Sequence, residues 1–311
     1  MIFRVRHPLR FAIALLLSIL VSTRVGVARA ESPENTDPSA QGESSEAHDA
    51  GPDMLRPLLG IDVSPGNDFA PFAPQWMRTS EGRTLGFGFG IDKMLSEKVD
   101  IEVESAMNSF KSREGSKELG FDAVDAVSRY MIVNQPDVQV SVAPHLTIDT
   151  GSFGDHVGLG SAGFAAMFGG RGGALPDGWN LGFLRAIEVH SDLGYSRITQ
   201  DGTGNEVFFD PMLDYSFPYL EYLTKSQLPW PLRKLCVFGE LNFDEVIDGT
   251  EHGAPTLYET SGIGYVSEAY QVSAGVQLPL NHAGERAQQI AIMGEIEFAL
   301  DDVPVFGWMP L

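Results

Sequence analysis

Glu188, His190 and Asp192 alternate with Val189 and Ser191, so on an extended chain their side chains project from one face at intervals of about 6.6–7 Å. An imidazole between two carboxylates could hold a metal or relay a proton, but ligands at that spacing need contributions from neighbouring strands to close around an ion. The other reading is a polar wall facing water. Asp100, Glu102 and Glu104 make a second row, Glu295 and Glu297 a third, and Glu240 stands among Val237, Leu241 and Phe243. Paired carboxylates can serve acid–base catalysis. Spaced along alternating segments, these residues read instead as the lining of a water-filled lumen, and no catalytic residue, metal or cofactor is expected.

The motifs that would argue for an enzyme are missing. Gly86-Phe87-Gly88-Phe89-Gly90 lacks the GxGxxG spacing and the strand–turn–helix unit of a nucleotide loop. There is neither a GxSxG elbow nor an HExxH pair. Cys236 is the single cysteine, which excludes a disulfide and a thiolate zinc cage and reads as a buried, inert thiol. Gly169-Gly170-Arg171-Gly172-Gly173 reads as a turn. The expectation is that the chain is not an enzyme.

Composition sets the setting for these rows. Against 21 Lys and Arg stand 42 Asp and Glu, a net charge of −21, which argues against a nucleic-acid partner held through phosphates. Residues 1–30 run from a basic start (Arg4, Arg6, Arg10) through an apolar stretch from Phe11 to Val21 to Ala28-Arg29-Ala30, the pattern of a secretory signal peptide cleaved after Ala30. The apolar run of about eleven residues is short of the roughly twenty that a spanning helix needs, and no later run approaches that length. Residues 31–54 are rich in Ser, Pro, Glu and Asp and read as a disordered acidic periplasmic leader. Residues 55–311 are left to carry the fold.

That remainder reads with period two, which puts alternate side chains on opposite faces of a strand. Apolar positions recur at Leu85–Ile91, Val99–Val103, Val138–Val142, Ile187–Leu193, Leu213–Tyr219, Val237–Phe243, Tyr270–Leu278 and Ile290–Phe298. Val157–Phe168 and Leu257–Tyr265 are weaker, and Phe121–Val133 also fits a helical stripe. Bacterial barrels have even strand numbers, and Leu55, Pro57, Leu59, Ile61 and Val63 supply a twelfth segment, placed first. Tight turns then fall at Met94–Glu97, Asn134–Pro136 and Ser267–Glu268. Long loops fall on the other side, at Asn108–Gly120, Asp149–His156, Ser196–Pro211 and Glu245–Pro255. Gly169–Gly182 and Thr224–Lys234 are too long for that scheme. Phe110, Tyr130, Tyr195, Tyr219, Tyr270 and Phe298 sit where interfacial girdles would form. Pro144 and Pro218 each remove a ladder donor, so both should lie at a bulge or outside the hydrocarbon zone.

Several stretches resemble the outer-membrane transporter family of the MetA-pathway of phenol degradation. They are Glu81-Gly82 leading into Leu85–Asp92, Gly120–Tyr130, Leu213–Tyr219, Gly264-Tyr265 with Tyr270–Leu280, and Phe298–Asp302. The resemblance implies an outer-membrane barrel that moves small, often hydrophobic or aromatic compounds, and supplies no site residues. The chain departs from barrels in ending on Leu311 rather than an aromatic, which leaves Gln288–Leu300 or Val303–Trp308 as the closing strand. The expected protein is an antiparallel transmembrane β-barrel of about twelve strands in the outer membrane of a Gram-negative bacterium. Its partners would be membrane lipid and a small solute that diffuses passively, neutral or cationic rather than anionic. A soluble exported β-protein binding a small apolar ligand is the alternative.

Overall fold

The computed structural model describes residues 54–58, 63–150, 157–175, 179, 181–199, 204–249 and 253–300. The expected signal peptide, residues 31–53 and residues 301–311, with Val303–Trp308 among them, lie outside these. Twelve strands follow one another: β1 (Asp68–Arg78), β2 (Gly82–Ser96), β3 (Val99–Ser112), β4 (Lys117–Gln135), β5 (Val138–Thr150) and β6 (Val157–Arg171), then β7 (Ile187–Ile198), β8 (Gly204–Ser216), β9 (Leu235–Val246), β10 (Thr256–Val266), β11 (Tyr270–Pro279) and β12 (Ile290–Ala299). Each pairs antiparallel with the next, and β1 pairs with β12, so the sheet closes into a barrel without an edge. Closure is what allows strands to cross a bilayer, because every backbone donor and acceptor inside the hydrocarbon finds a partner in the wall.

The alternation decides which face is which. On β3, Ile101 and Val103 are 40% and 39% exposed, while Asp100 between β2 and β4 is fully buried. Leu85, Phe89, Ile91, Phe164, Leu213, Val237, Ile263 and Ile292 likewise stand exposed on the outside of a closed wall. A soluble protein would carry its apolar side chains the other way, so the exterior is a lipid-facing surface. Tyr130, Tyr270 and Phe298 belong to it, whereas Tyr219 does not and is buried.

The first strand is not where the periodicity placed it. β1 is Asp68–Arg78, and the described residues 54–58 and 63–67 precede it inside the barrel. Leu55 is buried against Met212, Cys236, Phe238 and Val266, and Val63 against Ala143, Ala165 and Met167. All of these except Leu55 and Val63 come from the inner face of strands. Leu59 and Ile61 lie outside the described residues. A Cβ at Gly264 would overlap the Leu55 side chain, so the wall of β10 is thinned to glycine where Leu55 approaches. Ser141 donates to the Val63 carbonyl at 2.6 Å, and the Gly66 amide donates to Asp100 at 3.2 Å.

Two further boundaries moved. Leu213–Tyr219 is strand only to Ser216, where helix α1 (Phe217–Thr224) begins. The Ser216 side chain accepts from the Tyr219 amide at 3.2 Å and Pro218 sits in the first turn, where its missing N–H costs nothing. The Phe121–Val133 stretch is strand throughout. Pro144 stays in β5, and the β4–β5 ladder runs from Val127–His145 to Tyr130–Val142 without a pair at Pro144.

The end that carries the start of β1 and the end of β12, here called the terminal end, has the tight turns as expected. It also has the two long connections, 172–186 and 217–234, whose described residues include α1 and 3-10 turns at Gly172–Ala174, Gly182–Ala186 and Leu232–Lys234. Opposite, β3 and β4 extend far beyond the expected loop, leaving only 113–116 between them. A short helix α2 (His282–Ala287), capped by Asn281, bridges β11 and β12 there.

Candidate functional site

Strand register brings the acidic rows together in three groups. The first is built on β1, β2, β3, β4 and β12. Arg129 of β4, its side chain fully buried, donates from Nε to both oxygens of Asp100 at 3.1 and 2.9 Å, and its terminal nitrogen reaches Asp92 at 2.8 Å and Glu102 at 3.2 Å. Arg56, on the segment inside the barrel, meets Asp92 at 3.0 Å and also contacts Asp68 and Glu297. Two guanidinium groups thus hold five carboxylates from four strands. A buried ion needs this kind of compensation, because its transfer out of water costs several kcal/mol.

The second group lines water. A cavity of about 260 Å³ lies against the inner faces of β1, β2, β3, β4 and β12, with Glu104, Asn108, Asp122, Asp125 and Glu295 in its wall and Leu58 at its floor. Gly86, Gly88 and Gly90 make one side of it. A Cβ at Gly88 would stand 3.1 Å from Ala73 and one at Gly90 3.0 Å from Glu104, so the glycine stripe is what leaves the space open. The Gly-Phe repeat is therefore a wall pattern with phenylalanine toward lipid. A smaller cavity of about 140 Å³ shares Leu58 and Glu104 with it and is lined by Arg56, Asp68, Asp92, Glu102 and Glu297.

The third group is on β7, β8 and β9. Glu188 lies directly across from Asp214 and Asp192 across from Asp210, with His190 between them. Glu188, His190, Asp192, Asp214 and Glu240 are all at most 2% exposed. Asp192 accepts from the Asp210 amide at 3.1 Å, and Glu240 accepts from Asn242 at 3.3 Å. Arg171 Nε lies 3.0 Å from Glu188, and its guanidinium packs 4.8 Å from the Tyr219 ring centroid. Tyr219 donates to Asp137 at 2.5 Å. Burial, then that bond and the Asp137 charge, push the hydroxyl well above the ordinary tyrosine range, so it stays a donor at neutral pH. Cys236 is buried, its sulfur 3.8 Å from Ser216 Oγ.

Of the nine residues expected from sequence, Asp100, Glu102 and Glu297 belong to the first group, and Glu104 and Glu295 line the cavity. Glu188, His190, Asp192 and Glu240 lie in the third. Arg56, Arg129, Arg171, Asp92, Asp210 and Asp214 were missed. Asp214 alternates visibly with Leu213 and Tyr215, but its partner Glu188 emerges only with the β7–β8 register.

A closed antiparallel wall, apolar outside and charged inside, defines an outer-membrane β-barrel. No family model matches the chain, and no curated protein matches it. Among solved structures it is similar in fold to the NanC porin, with 8% identity, a TM-score of 0.47 and coverage of 75% of this chain and 98% of that one. The KdgM porin gives 9%, 0.41, 75% and 98%. LpxR from Salmonella typhimurium gives 9%, 0.42, 75% and 99%. The expectation that the chain is not an enzyme is not upheld, since the structures of similar fold include LpxR, an outer-membrane enzyme.

Proposed function

We propose that the barrel is a gated channel for small neutral or cationic solutes, closed at its terminal end by residues 54–58 and 63–67. The observation that carries the reading is a pair of inner cavities, of about 260 Å³ and about 140 Å³, that share Leu58 in their walls, the smaller one lined by Arg56. Arg56 is the one cation of its group borne by a segment outside the wall, so it can leave without unpairing a strand. Its departure would remove one guanidinium from Asp68 and Glu297 and lengthen the aqueous path.

The wall chemistry selects the solute. Glu104, Asp122, Asp125 and Glu295 repel anions and accept hydrogen bonds from neutral donors. The glycine stripe offers a flat surface to a planar ring. The resemblance to the MetA-pathway family adds small aromatic compounds as the class, and a phenol-like solute, flat with a single hydroxyl donor, suits this wall. Planar-bilayer recording under asymmetric salt tests the proposal. Cation preference is expected, with current reduced by phenol and unaffected by benzoate. Anion preference, or a barrel that stays shut after removal of residues 54–66, overturns it.

A further inference from the structure

We propose that Glu188, His190 and Asp214 bind a first-row divalent cation in the barrel wall between β7 and β8. Glu188 and Asp214 are a directly opposed pair in the ladder, and His190 is the next inward residue on β7. One donor atom from each lies within 4.8 Å of the others. All three side chains are buried, at 0%, 2% and 1% exposure.

The second observation concerns Asp214. Neither of its oxygens accepts a hydrogen bond, although both are sealed from water. His190 Nε2 is 3.9 Å from Asp214 Oδ1, too far to donate. Glu188 has Arg171 Nε at 3.0 Å, but the N–H is misaligned, and its oxygens too accept no hydrogen bond. Two opposed carboxylates with a single guanidinium beside one of them keep a net negative charge in a dry interior, which a cation between them would offset.

The barrel contains its own comparison. Asp68, Asp92 and Glu297 have the same mutual spacing and are filled by the Arg56 guanidinium. At Glu188 and Asp214 the nearby guanidinium is drawn aside onto Tyr219, and an imidazole takes the third position. Donors about 2.0–2.2 Å from zinc stand roughly 3.3 Å apart, so the 3.9 Å gap closes with a small rotamer shift. One imidazole with two carboxylates suits zinc, cobalt, manganese or ferrous iron rather than calcium or magnesium. Asp214 lies two residues before Ser216, the cap of α1, so the ion would tie that helix to the wall.

The test uses the full chain refolded in detergent after chelator treatment, with Co²⁺ or Zn²⁺ present during refolding because the site is closed afterwards. One equivalent of metal per folded barrel is expected, with visible ligand-field bands for Co²⁺. Asp214→Asn and His190→Gln should each weaken binding at least ~tenfold, while Asp68→Asn should leave it unchanged. Heat-modifiable migration reports folding, and His190→Gln carries the test should Asp214→Asn not fold. A barrel that takes up no metal, or variants that bind as the parent does, overturns the proposal and leaves a proton shared between the two carboxylates.

Discussion

On the β3–β4 side of the lumen, Arg129 reaches carboxylates on β3 and on β2 beyond it, and Arg56 enters from a separate segment to share Asp92 and reach Asp68 and Glu297. On the β7–β9 side, acids face acids across the ladder, and the guanidinium of Arg171 is shared with an aromatic ring. Both rows have the same look on an alternating strand. Their difference comes from where the compensating cation is attached. A cation on the wall fixes the barrel, one on the inserted segment can be withdrawn, and an incomplete set leaves room for a ligand.

The sharpest break in that comparison is Arg129→Ala. It leaves Asp100 and Glu102 without their guanidinium and Asp92 with Arg56 alone, and removal of one partner from a buried ion pair typically costs about 3–5 kcal/mol. Urea unfolding followed by gel migration should show a loss in that range, and a smaller one for Arg171→Ala, which releases fewer carboxylates. Equal losses would erase the distinction between the walls. Tyr219→Phe comes next. It removes a donor from Asp137 while keeping the ring under Arg171, and hydrogen bonds to charged groups contribute about 1.5–3 kcal/mol. The same unfolding measurement reads it.

Arg56→Ala acts on the withdrawable cation and should cost less stability than Arg129→Ala, whose carboxylates are more deeply buried, while raising single-channel conductance and cation preference together. Gly264→Leu provides a route to the same state from the opposite side, since the new side chain takes the space of Leu55. Conductance that stays flat in both variants would place the barrier elsewhere than the inserted segment.

Much of the fold was legible because a closed barrel makes every strand amphipathic, and β2, β3, β5, β7, β9, β11 and β12 repeat the pattern without interruption. β1 was not legible. Pro71 falls where the register shifts against both neighbours, and Pro74 interrupts the alternation again, so the true first strand looks less regular than Leu55–Val63. The described ends of that segment, Leu55 and Val63, bury apolar side chains inside the barrel, which asks for the same residue types as a strand facing lipid. Leu213–Tyr219 misled for a different reason: Ser216 and Pro218 are a helix start, a signal masked by the aromatic alternation around it. For the sites, the acids were readable one strand at a time. The arginines were not, since a lone Arg129 or Arg171 acquires meaning only through cross-strand register, and Arg56 only through the path of the chain.

The smallest expected effect sharpens the comparison most. Glu104 and Glu240 are both acids on inner faces, yet Glu104 borders the aqueous cavity, while Glu240 is fully buried and held by Asn242. In about 1 M salt the screening length is near 3 Å, so a permeating ion responds to charges at the water surface and hardly to those behind packed side chains. Glu104→Gln should therefore move the reversal potential toward zero under a salt gradient, and Glu295→Gln should do the same. Glu240→Gln should leave it in place. Equal shifts at Glu104 and Glu240 would mean that the path runs along β9 as well, and that the packed wall admits water.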